Sequence, residues 1–97
     1  MCADGLGVPK NYTEAVKWYR LAADQSQPNS QFSLGYIYAT GKGVPQDYVR
    51  AHMWFSLSAA QGNENAASAR DNITMRLTPA QIAEAQKLAR EWQPKRP

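Results

Sequence analysis

Few residues in this chain have the type and spacing to do chemistry. His52 is the single histidine, and it follows Ala51. A zinc site would need Cys, His, Asp or Glu partners at ligand spacing, and none stands around it. It reads instead as a structural histidine. The eight carboxylates (Asp4, Glu14, Asp24, Asp47, Glu64, Asp71, Glu84, Glu91) are scattered singly, so no pair is set for general acid–base work. Cys2 is the lone cysteine. A thiol is reactive when exposed beside positive charge, and near a frayed terminus it reads as incidental. Gly5-x-Gly7 and Gly41-x-Gly43 are the glycine-rich candidates for cradling a phosphate. A dinucleotide loop needs a preceding strand and a third glycine, and both are absent here. Catalytic, cofactor-binding and metal-ligating residues are therefore all expected to be none.

The glycines belong to a longer echo. Gly5-Leu6-Gly7-Val8-Pro9 returns 36 residues later as Gly41-Lys42-Gly43-Val44-Pro45, and ten of 21 positions are identical between 5–25 and 41–61. Tyr12 returns as Tyr48, Ala15 as Ala51, Trp18 as Trp54 and Leu21 as Leu57, while Tyr19 returns as Phe55 and Ala22 as Ser58. A fixed period of this size marks a solenoid, in which each unit buries its apolar face only against its neighbours. The glycines are then turn residues, and Pro45 blocks helix continuation.

The elements follow from the spacing. Asn11 and Asp47 are good N-caps. The apolar positions after them (Tyr12, Ala15, Trp18, Tyr19, Ala22 and their echoes) recur at helical intervals. These predict helices over 11–25 and 47–61. The first breaks at Gln27-Pro28-Asn29. Gly62 ends the second in a left-handed conformation. A helix after Pro28 carries Ser30, Leu34, Gly35 and Tyr38 on one stripe. Gly35 costs about 1 kcal/mol relative to alanine inside a helix, which predicts a close crossing by a Trp or by backbone. After Gly62 the echo decays, yet Ala66, Ala69, Ile73 and Leu77 predict a helix over 64–76. Thr78-Pro79-Ala80-Gln81 is a capping box with proline at the first helical position, opening a last helix over 79–92 with Ile82, Ala85, Ala89 and Trp92 inward. The polar face of that helix is how a solenoid ends.

At 97 residues the chain is the size of one domain. The net charge of +3 comes from residues 76–97, which hold five basic and two acidic side chains. That is a solvated tail rather than the dense basic stripe nucleic acid requires. No apolar run approaches the roughly 18 residues of a membrane span. Met1–Asp4 does not read as a signal peptide, and the compartment stays open. The sequons at Asn11 and Asn72 are chance-level matches.

The full pattern is Leu34-Gly35-x-x-Tyr38-x-x-Gly41-x-Gly43-Val44-Pro45-x-Asp47-x-x-x-Ala51-x-x-Trp54-x-x-x-Ser58-Ala59-x-x-Gly62. It closely resembles the Sel-one-like repeat family, a relative of the tetratricopeptide repeats with a longer loop between the two helices of a unit. The likeness is strong over 3–62 and weak over 63–76. Ser58 departs from the alanine the family favours. The resemblance implies an all-α, right-handed superhelix of antiparallel helix pairs, about five helices, in one domain over 1–92. Residues 1–26 would be a half repeat, 27–62 a full repeat, 63–92 a degenerate repeat with its cap, and 93–97 a disordered tail. Members that carry a disulfide in each repeat are excluded by the single cysteine.

The resemblance also implies a non-catalytic adaptor, with the first helix of each unit lining a concave groove for a peptide or protein segment. By that pattern Asn29, Phe32, Tyr36 and Ala39 face the groove from one helix. Asn65, Ser68, Asn72 and Met75 face it from the next, with Arg76 at the rim. Phe32 and Tyr36, four apart, share a face; the competing reading packs Phe32 into the core. Two other functional readings are carried alongside: electrostatic binding of an acidic partner or nucleic acid through the basic C-terminal end, and a purely structural piece of a longer array. The helix over 11–25 lacks the partner its repeat would give it, so Tyr12, Trp18 and Tyr19 are expected to form an uncovered edge that contacts a second copy.

Overall fold

The computed structural model describes residues 12–92, with Tyr12 through its backbone alone. Asn11, Cys2, the first glycine turn and the tail 93–97 lie outside the described residues. Among the described residues five α-helices follow one another: α1 (Tyr12–Asp24), α2 (Pro28–Thr40), α3 (Tyr48–Ala60), α4 (Glu64–Thr74) and α5 (Pro79–Glu91). The architecture is all-α, as expected. α2 packs against α1 and α3, and α3 also packs against α4 and α5.

The helix ends are set locally. Asp47 caps α3 by accepting from the backbone N–H groups of Val49 and Arg50. Thr78 and Gln81 form the reciprocal capping box of α5. Asn63 caps α4 by accepting from Ala66 N–H, a role hidden in the sequence because Gly62-Asn63 reads first as a helix stop. α1 and α3 end alike. The N–H of Gln27 reaches Ala22 O, and 36 residues on the N–H of Asn63 reaches Ser58 O. This closure needs a left-handed residue. Gly62 supplies it at φ 98°, and Ser26 at the equivalent place holds φ 69°. So α1 ends at Asp24 and the chain turns left-handed at Ser26, one step before the Gln27-Pro28 signal.

The core runs through α2 and α3. Leu34, Ile37 and Tyr38 meet Ala51, Met53, Trp54 and Phe55, with Ala66, Ile73 and Ala85 closing the far side. Gly35 marks a close crossing, but the group that uses it is a phenyl ring. A Cβ on Gly35 would sit 2.6 Å from Cδ1 and Cε1 of Phe55. On α5 the packed residues are Ala85, Leu88, Ala89 and Trp92, while Ile82 is half-buried outside that cluster. α1 departs most from its apolar stripe. Val16 and Ala23 are its buried residues, whereas Trp18 and Tyr19 are exposed. Trp18 and Tyr19 thus form the uncovered edge expected on this helix, and the side chain of Tyr12 lies outside the described residues.

Polar groups tie the units together. Gln31 is fully buried; its Nε2 donates to Ala23 O at 3.2 Å, and its Oε1 accepts from Gln61 Nε2 at 2.8 Å. One amide thus joins the ends of α1 and α3 to α2. Ser58, also fully buried, donates to Pro28 O at 2.7 Å. Its hydroxyl fits where alanine would, and adds a hydrogen bond to the start of α2. Arg20 donates to the hydroxyl of Tyr38, linking α1 to α2.

Candidate functional site

Two open clefts share two residues, Phe32 and Ser33. The first, about 510 Å³, lies where the N-terminal ends of α2 and α4 meet the α3–α4 turn. Asn29, Phe32, Ser33, Gln61, Asn63 and Asn65 line it. These are neutral amides, a hydroxyl and one ring, with no charged side chain among the described lining. Such a surface offers paired donors and acceptors without a net field. The second cleft, about 270 Å³, lies between α1 and α2 and is walled mainly by Ala15, Tyr19, Phe32, Tyr36 and Ile37.

The residues expected to line a groove fall into two groups. Asn29, Phe32 and Asn65 come together at the first cleft, and Phe32 and Tyr36 at the second. Ser68, Asn72 and Arg76 are exposed on and just beyond α4 but line neither cleft. Tyr36 is 54% exposed. Phe32 is half-buried, its ring 5.6 Å from that of Phe55, so it supports the core and shows an edge to the clefts at once. Ala39 is half-buried and Met75 is exposed. The reading from sequence missed Ser33, Gln61 and Asn63. Asn63 and Gln61 flank Gly62 in the turn, and a repeat-wide tally of amides near the helix starts would have found them.

His52 sits on the other side of α3, at the place where Val16 stands in the preceding unit, and is almost fully buried. Its Nε2 is 3.1 Å from Thr74 Oγ1. Thr74 spends its own proton on Arg70 O at 2.8 Å, so it accepts from His52 Nε2–H. Nδ1 is then bare and accepts from Ser56 Oγ at 3.4 Å. This is a neutral imidazole joining α3 to α4. Burial, and next the Arg70 guanidinium, push its pKa below the ordinary 6.5, against an opposing pull from Asp71. The sign follows. Below 6.5 the unfolded chain takes up the proton before the native chain does, so stability is full above 6.5 and falls as pH drops toward the lowered native value. Between about pH 8 and about pH 5, thermal unfolding should show a loss of stability that His52→Gln lacks. Parallel curves for the two proteins would contradict this role.

Among the described residues, no three His, Cys, Asp or Glu side chains stand together as a metal site, and no helix is long and apolar enough to cross a membrane. A third cleft, about 350 Å³, holds Arg20, Tyr38, Asp47 and Arg50. There Asp47 is occupied as the α3 cap and pairs with Arg50 at 3.5 Å.

The comparisons with known proteins agree with the helices and their period. The Sel1 repeat model matches residues 1–27 and again 28–63. No curated protein matches the chain significantly. Sel1 repeats are generally protein–protein interaction modules, scaffolds or adaptors rather than enzymes. With two matched units that together span well over half of its length, the chain belongs to the Sel1 repeat family.

Proposed function

We propose that this chain is a non-catalytic binding module that holds an extended peptide or protein segment across α2 and α4. The observation that carries the reading is the first cleft, where Asn29 and Asn65 flank the exposed edge of Phe32. An extended chain presents backbone N–H and C=O groups that side-chain amides can pair, and aromatic anchors beside such amides are what interaction hot spots use. Tyr36 supplies a second aromatic on the same helix face. Ser68, Asn72 and Arg76 continue the polar wall along α4. On this reading residues 27–62 form the complete repeat, with a half unit before it and a capped, degenerate unit after it. The neutrality of the first cleft favours recognition by amide pairing and ring contact over charge.

The test uses peptides selected against the full chain from a random library. Tyr36→Ala and Asn65→Ala should each weaken the selected peptide by roughly tenfold, with the fold unchanged by circular dichroism. Affinity should change little between about 50 mM and 200 mM salt. A steep loss with salt would move recognition to the basic C-terminal end. Affinity untouched by either substitution would remove the groove.

A further inference from the structure

We infer that the third cleft, at the turn between α2 and α3, is a carboxylate site built from Arg20, Tyr38 and Arg50. It lies at the opposite end of α2 from the amide-lined cleft. Arg20 reaches it from α1 and donates through Nη2 to the Tyr38 hydroxyl. A guanidinium carries donors alone, so this contact uses a lone pair of the phenol and leaves its proton. Tyr38 is 6% exposed. A hydroxyl proton at such a depth calls for an acceptor, and among the described residues none takes it. Arg50 lines the same cleft from the first turn of α3. Asp47 Oδ1 accepts from the backbone N–H groups of Val49 and Arg50, and its Oδ2 meets Arg50 Nε at 3.5 Å. Asp47 is thus spent on the helix start and on one edge of Arg50. The two NH2 groups of that guanidinium remain for a ligand.

Charge selects the ligand. Two guanidinium groups against one carboxylate leave the cleft with a single positive charge. One carboxylate neutralises it. A phosphate monoester, at about −2 near neutral pH, would leave negative charge in excess beside Asp47. Arginine forks and a phenolic O–H also match the two oxygens of a carboxylate. Val44 and Pro45 line the cleft as well and give a short alkyl stem an apolar wall. The ligand is therefore a carboxylate on such a stem, from an acidic side chain of a bound peptide or from a small free monocarboxylic acid. The next junction shows the closed counterpart. There, 36 residues on, Ser56 stands for Arg20 and Thr74 for Tyr38. Both hydrogen-bond to His52, so those polar groups are paired internally. The first junction has Val16 where His52 would be, and valine accepts nothing from the phenol. The inference is independent of the groove across α2 and α4, which uses none of these side chains.

The probes are propionate and a capped glycine peptide with one central glutamate. The same peptide with glutamine is the control, and inorganic phosphate is the competing anion. Titrated into the isotope-labelled full chain, propionate or the glutamate peptide should shift the side-chain resonances of Arg20, Tyr38 and Arg50 saturably in the millimolar range and leave Asn65 unmoved. Arg50→Gln and Tyr38→Phe should each weaken binding by about three- to tenfold, with the fold unchanged by circular dichroism. Tighter binding of the peptide assigns the carboxylate to an acidic residue of a partner, and tighter binding of propionate assigns it to a free acid; either order supports the site. Four results would overturn it: no saturable shift at tens of millimolar ligand, equal shifts with the glutamine peptide, tighter binding of phosphate than of either carboxylate, or shifts at Lys87 and Arg90 as large as those at Arg20.

Discussion

Trp54→Ala should cost about 3–5 kcal/mol, the range for deleting a large buried aromatic. A domain this small holds roughly 5–10 kcal/mol in all, so the variant stands close to unfolding at ambient temperature. Trp54 is buried where α3 meets α5, its ring edge-on to Trp92 at 6.0 Å. Removing it opens a void and also loosens the last helix, whose packing on α3 depends on that contact. The indole Nε1 is buried and has no hydrogen-bond partner among the described residues. Trp54 therefore acts by volume, and Trp54→Phe should recover most of the stability. Urea unfolding of both variants checks this. A midpoint unchanged by Trp54→Ala, or a Trp54→Phe protein as unstable as the alanine variant, would contradict it.

Gly35→Leu should be nearly as damaging, at about 3 kcal/mol, although leucine is the better helix former by close to 1 kcal/mol. Packing wins over propensity because the Phe55 ring has nowhere to go: it is 2% exposed and flanked by Phe32. Even the single methyl of Gly35→Ala meets two ring carbons at 2.6 Å, so its loss should be about 1 kcal/mol after the propensity gain is offset. The two positions are coupled. In a Phe55→Leu background, Gly35→Ala should become neutral or stabilising, a coupling of about 0.5–3 kcal/mol in a double-mutant cycle. Additive effects would show that Gly35 does not serve the ring.

How much of this was legible in the sequence divides along physical lines. Helix positions and ends were readable wherever local chemistry sets them: Asp47, Thr78 with Gln81, and Gly62 each act through a backbone group a few residues away. The period showed that Trp54 and Phe55 are core, because the echo aligns them with Trp18 and Tyr19. The uncovered edge expected on the first helix is also seen, since Trp18 and Tyr19 are exposed where Trp54 and Phe55 are buried. The residues are alike and the neighbours differ, and burial belongs to the neighbours. Gln31, by contrast, was invisible. Polar by composition, it is buried because Ala23 O and Gln61 converge on it from two other elements. The glycine at 35 announced a close crossing but not the group that uses it. At the groove, Asn29, Phe32 and Asn65 were named from the repeat pattern and fall on one cleft. Gln61 and Asn63 were hidden in a turn whose glycine drew the reading toward helix termination.

The most direct test of the binding account is amide hydrogen exchange on the full chain with and without a selected peptide. The account predicts added protection on α2 and α4, centred on Asn29, Phe32, Tyr36 and Asn65 and extending to Ser68, Asn72 and Arg76. Protection confined to α5, or a bound peptide that leaves α2 and α4 unchanged, would contradict it.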